Sequence, residues 1–103
     1  MNVNIFKDCE AVMDNGLVEA RRRFANDSTA AIEIQLKPGG EIPEHGTPES
    51  VFFYVLEGTG LLSVDGDIAE IVPGMVSQCD ANIPKYIKNN SQGLLKVLVV
   101  KMN

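Results

Sequence analysis

The chain has 103 residues, 14 acidic and 9 basic side chains, a single histidine, two cysteines and no tryptophan, for a net charge of −5. That length holds one domain, and the acidic balance excludes nucleic acid as a partner, because phosphate binding needs clustered Lys and Arg. One histidine excludes any site built within one chain on two or three imidazoles, which removes the common zinc and non-haem iron enzymes.

The N-terminal stretch Met1–Glu10 carries no basic segment followed by an apolar core, so it does not read as a secretion signal. No segment approaches the roughly 20 apolar residues of a membrane helix. The expectation is a soluble, cytoplasmic protein with no membrane partner, in which Cys9 and Cys79 are free thiols. Residues 1–16 read as an N-terminal segment that packs on the main domain or on a partner. Within it, residues 8–13 could form a short helical turn with Asp8 as its N-cap.

Beyond Asp14-Asn15-Gly16, turn signals recur at short intervals: Asn26-Asp27-Ser28, Pro38-Gly39-Gly40, Gly58-Thr59-Gly60, Asp65-Gly66-Asp67, Pro73-Gly74 and Asn89–Gly93. Between them lie short runs rich in Val, Ile, Leu and Phe, the pattern of an all-β sandwich or barrel. Leu17–Ala20 begins the first of these strands. Arg21, Arg22 and Arg23 follow. Neighbours on a strand point to opposite faces, so the three do not form one patch, and surface or interface ion pairing is their expected role. In Ala31–Lys37, Ile32, Ile34 and Leu36 point one way and Glu33, Gln35 and Lys37 the other. Asp65-Gly66 between Leu61–Val64 and Ile68–Val72 predicts a hairpin with a type I′ turn. Residues 94–100 are too apolar for a half-exposed strand, and burial on both faces, in the core and against a partner, is expected.

The segment Gly39-Gly-Glu-Ile-Pro-Glu-His-Gly-Thr-Pro-Glu-Ser-Val-Phe-Phe-Tyr-Val-Leu-Glu-Gly58, with Gly60–Gly66 after it, resembles the first motif of the cupin superfamily. Pro73-Gly74 through Ile83-Pro84-Lys85 to Asn89 resembles the second, with Asp80 and Asn82 where that motif usually has Pro and Gly. The resemblance spans residues 30–100. It implies an all-β, jelly-roll double-stranded β-helix barrel over residues 17–103, commonly a homodimer, with a pocket inside the barrel. In metal-binding members the first motif supplies two His and a Glu, and the second a third His. By register His45 fits the first position, while Thr47, Val51 and Lys85 stand at the other three. A protonated ammonium has no lone pair and repels a cation, so no metal or other cofactor is expected. Glu49, after a register slip of two residues, or Glu44 could still join His45.

If strand alternation holds, His45, Thr47, Val51, Phe53, Val55 and Lys85 face the pocket: an apolar wall with a few polar groups, the make-up of a small-molecule site. The His45 imidazole and the Lys85 ammonium, cationic unless desolvated, together suit a carboxylate, enolate or phosphate. A lone histidine at a barrel mouth also serves as a hydrogen-bonded structural residue, and a lysine there also snorkels to solvent. Three functions stay open. The first is metal-free binding of a small metabolite, an anion among the candidates. The second is an isomerase, lyase or cyclase in which His45 acts as general base and Lys85 as the anion-stabilising group. The third is a structural or regulatory dimer with a vestigial pocket.

Overall fold

Residues 1–103 are all described in the computed structural model. Ten strands form: β1 (Glu10–Asp14), β2 (Val18–Ala25), β3 (Thr29–Leu36), β4 (Glu41–His45), β5 (Ser50–Glu57), β6 (Gly60–Val64), β7 (Asp67–Ile71), β8 (Val76–Cys79), β9 (Lys85–Lys88) and β10 (Leu95–Met102). Every pairing is antiparallel. A six-stranded sheet runs β1-β2-β3-β10-β5-β8 and a four-stranded sheet β4-β9-β6-β7. The pairs nest about the Asp65-Gly66 turn: β6 with β7, β5 with β8, β4 with β9, β3 with β10, alternating between the sheets. A long hairpin wound in this way is a jelly roll, and the all-β expectation holds.

The turn at the centre of the nest is as expected. Asp65 and Gly66 have φ of 51° and 84°, the two positive values that a type I′ turn requires. Gly58, between β5 and β6, also has positive φ, and an added Cβ would land on the carbonyl oxygen of Leu94. Backbone cannot retreat there without opening the β5–β10 ladder. Gly58→Ala should therefore cost about 3 kcal/mol or more, read as a lower urea midpoint at unchanged slope.

Sixteen buried apolar residues form one cluster between the sheets, centred on Leu36, Val51, Leu95 and Val97. Strand alternation in β3 is as predicted: Ile32, Ile34 and Leu36 all face this core. Glu33 faces away from it yet is only 7% exposed. Arg23 donates to it at 2.6 Å and Gln35 at 2.8 Å, which satisfies the carboxylate that the sheet surface covers.

One expectation needs correcting. Residues 8–13 are not a helical turn. A 3-10 turn covers only Phe6–Asp8, without a side-chain cap, and residues 10–14 pair with β2 instead. The neighbouring strand offers ladder hydrogen bonds that an isolated helical turn lacks. The arginines follow the alternation, with Arg21 and Arg23 two apart on one face, and a bulge falls between Arg22 and Phe24. Arg21 and Arg23 both reach the outer face, where they bind the backbone of Lys7, Cys9 and Asn4. All three arginines do form ion pairs, with Glu19, Glu10 and Glu33. In β10 only Leu95, Val97 and Val99 are fully buried, while Leu98 and Val100 are half-buried on the outer face. β3 and β5 flank the strand on both edges, but no layer of this chain covers its outer side.

Candidate functional site

The site begins at an edge. β4 is the outer strand of the four-stranded sheet, which is where a proline is tolerated in a ladder. Pro43 lies there, and the register shifts between Ile42 and His45. The shift sets His45 directly opposite Lys85 of β9, a cross-strand pair whose Cβ atoms sit about 5 Å apart. The Nδ1 of His45 is 3.0 Å from the Pro43 carbonyl. A carbonyl only accepts, so Nδ1 carries the proton and Nε2 keeps its lone pair.

Lys85 is drawn inward by the period of its own strand. Ile87, two residues on, is a core residue, so the same alternation points Lys85 at the core. It is 4% exposed. Its Nζ donates to Thr47 Oγ1 at 3.0 Å, and that hydroxyl donates in turn to the Glu49 carbonyl at 3.2 Å. The hydroxyl proton is committed to Glu49, so its lone pairs face the lysine. Asn82, three residues before Lys85, has φ of 64°. That is the left-handed conformation a glycine would adopt, and asparagine is among the few other residues that take it readily.

These side chains border a cavity of about 150 Å³ between the sheets. Its walls are mainly apolar and include Ile32, Ile34, Ile42, Phe53, Ile87 and Val99, with Val12 and Met13 of β1 beside them. His45 and Lys85 line it. Of the other residues named from sequence, Phe53 lines it too. Val55 borders instead a void of about 10 Å³ with Leu62, Ile71 and Met75, so that end of the barrel is filled by side chains. Val51 is fully buried in the core, and Thr47 is buried behind Lys85 as its hydrogen-bond acceptor. A surface hollow of about 230 Å³ near Asp14, Glu19 and Lys37 lies outside the barrel.

Lys101 also lines the cavity, and it was missed in the sequence. The signal was present: Leu95, Val97 and Val99 face inward, and two residues further on the same parity gives Lys101. It pairs in register with Val51. The cavity thus carries two lysines, and neither has a carboxylate within ion-pair distance. Burial holds the Lys85 ammonium below the usual lysine value of 10.5. The Lys101 charge acts in the same direction, while Cys79 and Glu49 oppose it.

The residues do not fit a metal ion. Three His, Cys, Asp or Glu side chains nowhere converge. At the four positions that resemble a ligand set stand an imidazole, a hydroxyl, a buried valine and an ammonium already bonded to that hydroxyl. Glu49 contributes its carbonyl to Thr47 and its charge to Lys85, and neither contact brings it to His45 as a second ligand.

The model of the cupin domain family matches residues 32–101. No curated protein matches the chain. Among solved structures, an RmlC-like cupin from Shewanella frigidimarina superposes with a TM-score of 0.86 at 18% identity, covering 99% of this chain and 90% of that one. A protein described as a predicted oxalate decarboxylase from Thermotoga maritima gives 0.85 at 20% identity, covering 98% of both chains. The polyketide cyclase RemF from Streptomyces resistomycificus gives 0.84 at 21% identity, covering 99% of this chain and 79% of that one. At these identities the likeness is one of fold.

Proposed function

Starting from the chain's membership of the cupin domain family, we propose that it binds a small organic anion with an apolar body inside the barrel, without a metal or other cofactor. One observation carries this: Lys85 and Lys101 line an apolar cavity in which no carboxylate pairs with either. A buried cation without a counter-charge costs several kcal/mol of lost hydration. A ligand carboxylate would offset that cost, and the wall would take its hydrocarbon part. A cavity near 150 Å³ holds a molecule about the size of benzene.

Isobutyrate and benzoate should raise the melting temperature, and their amides, of equal shape but no charge, should not. Lys101→Gln should weaken isobutyrate binding about tenfold by calorimetry. Equal stabilisation by acid and amide, or none by either, would overturn the proposal. The pairing of His45 with Lys85 supports a second reading, a metal-free isomerase, lyase or cyclase. In it, Nε2 of His45 takes a proton from the bound anion and Lys85 holds the enolate that results.

The outer face of the six-stranded sheet supports a homodimer. Val76, Tyr54 and Leu56 are exposed there beside the half-buried Phe52, Leu98 and Val100. A contiguous apolar face of this kind suits a subunit interface. The free Cys9 and Cys79 are in keeping with a reducing, cytoplasmic setting.

A further inference from the structure

We propose that Lys85 is a nucleophile that condenses with the carbonyl of a short-chain oxo acid held in the barrel, forming an imine. The inference rests on the anion-binding reading above and adds a covalent step to it. Four features of the cavity carry it. Lys85 is the only lysine that is almost fully buried. It borders the cavity. Its one hydrogen bond goes to a hydroxyl that accepts from amine and ammonium alike. The imidazole directly across the ladder has its Nε2 lone pair free. Lys101 supplies a separate positive charge for the carboxylate, so one lysine can anchor the acid while the other attacks.

The step balances without an added oxidant or reductant. The Lys85 amine lone pair attacks the carbonyl carbon, a C–N bond forms, and the π pair moves to oxygen. His45 Nε2 carries one proton from the nitrogen to that alkoxide, giving the carbinolamine hydroxyl, and then carries the second nitrogen proton to the hydroxyl. That hydroxyl leaves as water when the C=N bond forms. The reaction requires the neutral amine. The groups that act on Lys85 come from each neighbouring element: His45 on β4, Thr47 and Glu49 before β5, Cys79 on β8 and Lys101 on β10. Burial and Lys101 prevail over Cys79 and Glu49, so the amine is available at lower pH than on a surface lysine.

The test is reductive trapping. The intact protein is incubated with pyruvate or 2-oxobutyrate and cyanoborohydride at pH 7, then mapped by mass spectrometry. The trapped adduct adds the mass of the oxo acid less one oxygen atom. Lys85 should be labelled at least about tenfold faster than Lys7, Lys37, Lys88, Lys96 or Lys101, which serve as internal controls. Isobutyrate, an anion with no keto group, should suppress the label. His45→Gln should slow labelling of Lys85 at least about tenfold more than it weakens isobutyrate binding, measured on the same variant. If isobutyrate raises the melting temperature but labelling is spread evenly over the lysines, the imine proposal is overturned and anion binding stands. If isobutyrate has no effect and Lys85 is unlabelled, both fail.

Discussion

Lys85→Met should raise the melting temperature and abolish anion binding in the same molecule. Methionine fills nearly the volume of a lysine stem without its ammonium, and its flexibility suits an irregular cavity wall. In the parent chain Lys85 is 4% exposed and has a single neutral partner, Thr47. Thr47 keeps its bond to the Glu49 carbonyl in the variant, so no polar atom loses its only contact. Replacing a buried charge by a well-packed apolar group of similar size stabilises by about 1–3 kcal/mol. In a domain of this length each kcal/mol moves the midpoint by about 4–8 °C.

The pH dependence has a definite sign. The folded-state value of Lys85 lies below its unfolded value of 10.5, so the unfolded chain binds more protons in that interval and stability rises with pH across it. The advantage of Lys85→Met should be full below the folded-state value and shrink as pH climbs toward 10.5. A variant less stable than the parent at neutral pH, or one that still binds isobutyrate, would refute this account of the site. A residue that destabilises the fold where a ligand binds is a common trade between stability and activity.

Asn89→Leu should be the most damaging single substitution outside the hydrocarbon core, at about 3–5 kcal/mol, enough to take much of a typical domain's stability. Asn89 is fully buried between β9 and the turn before β10. Its amide donates to the carbonyls of Leu36 and Gly93, both at 2.8 Å. Its side-chain oxygen accepts from the Ser91 backbone at 2.9 Å and the Ser91 hydroxyl at 2.7 Å. All four hydrogen-bonding capacities are therefore used. Leucine matches the volume but leaves the Leu36 carbonyl and the Ser91 amide to find other partners. Denaturant unfolding should show the loss; a change under about 1 kcal/mol would mean that the turn re-forms its bonds without the amide.

Much of the architecture was legible before the structure. Asp65-Gly66, the alternation of Ile32, Ile34 and Leu36, and the spacing of the turns are local features, and each is found as expected. The one misread stretch has a long-range cause. Residues 8–13 read as a helical turn because β2, the partner they pair with, lies further along the chain. The outer side of residues 94–100 is half-buried because what covers a sheet face is a matter of layers, not of strand composition.

The same division runs through the site. The count of one histidine and the identities of Thr47, Val51 and Lys85 are sufficient to argue against an inherited metal centre, because ligand chemistry belongs to residue types. By itself the sequence therefore determined the central turn, the alternation of β3, the jelly-roll class and which side chains stand at the four ligand positions. Only the tertiary structure decided that His45 faces Lys85 across a ladder, that Lys101 joins them, and that the space between is open at one end of the barrel and filled at the other. Cross-strand register depends on a bulge around Pro43, and a cavity is the volume left over after distant side chains have packed. Neither quantity belongs to any one stretch of chain, so neither can be read from a stretch of sequence.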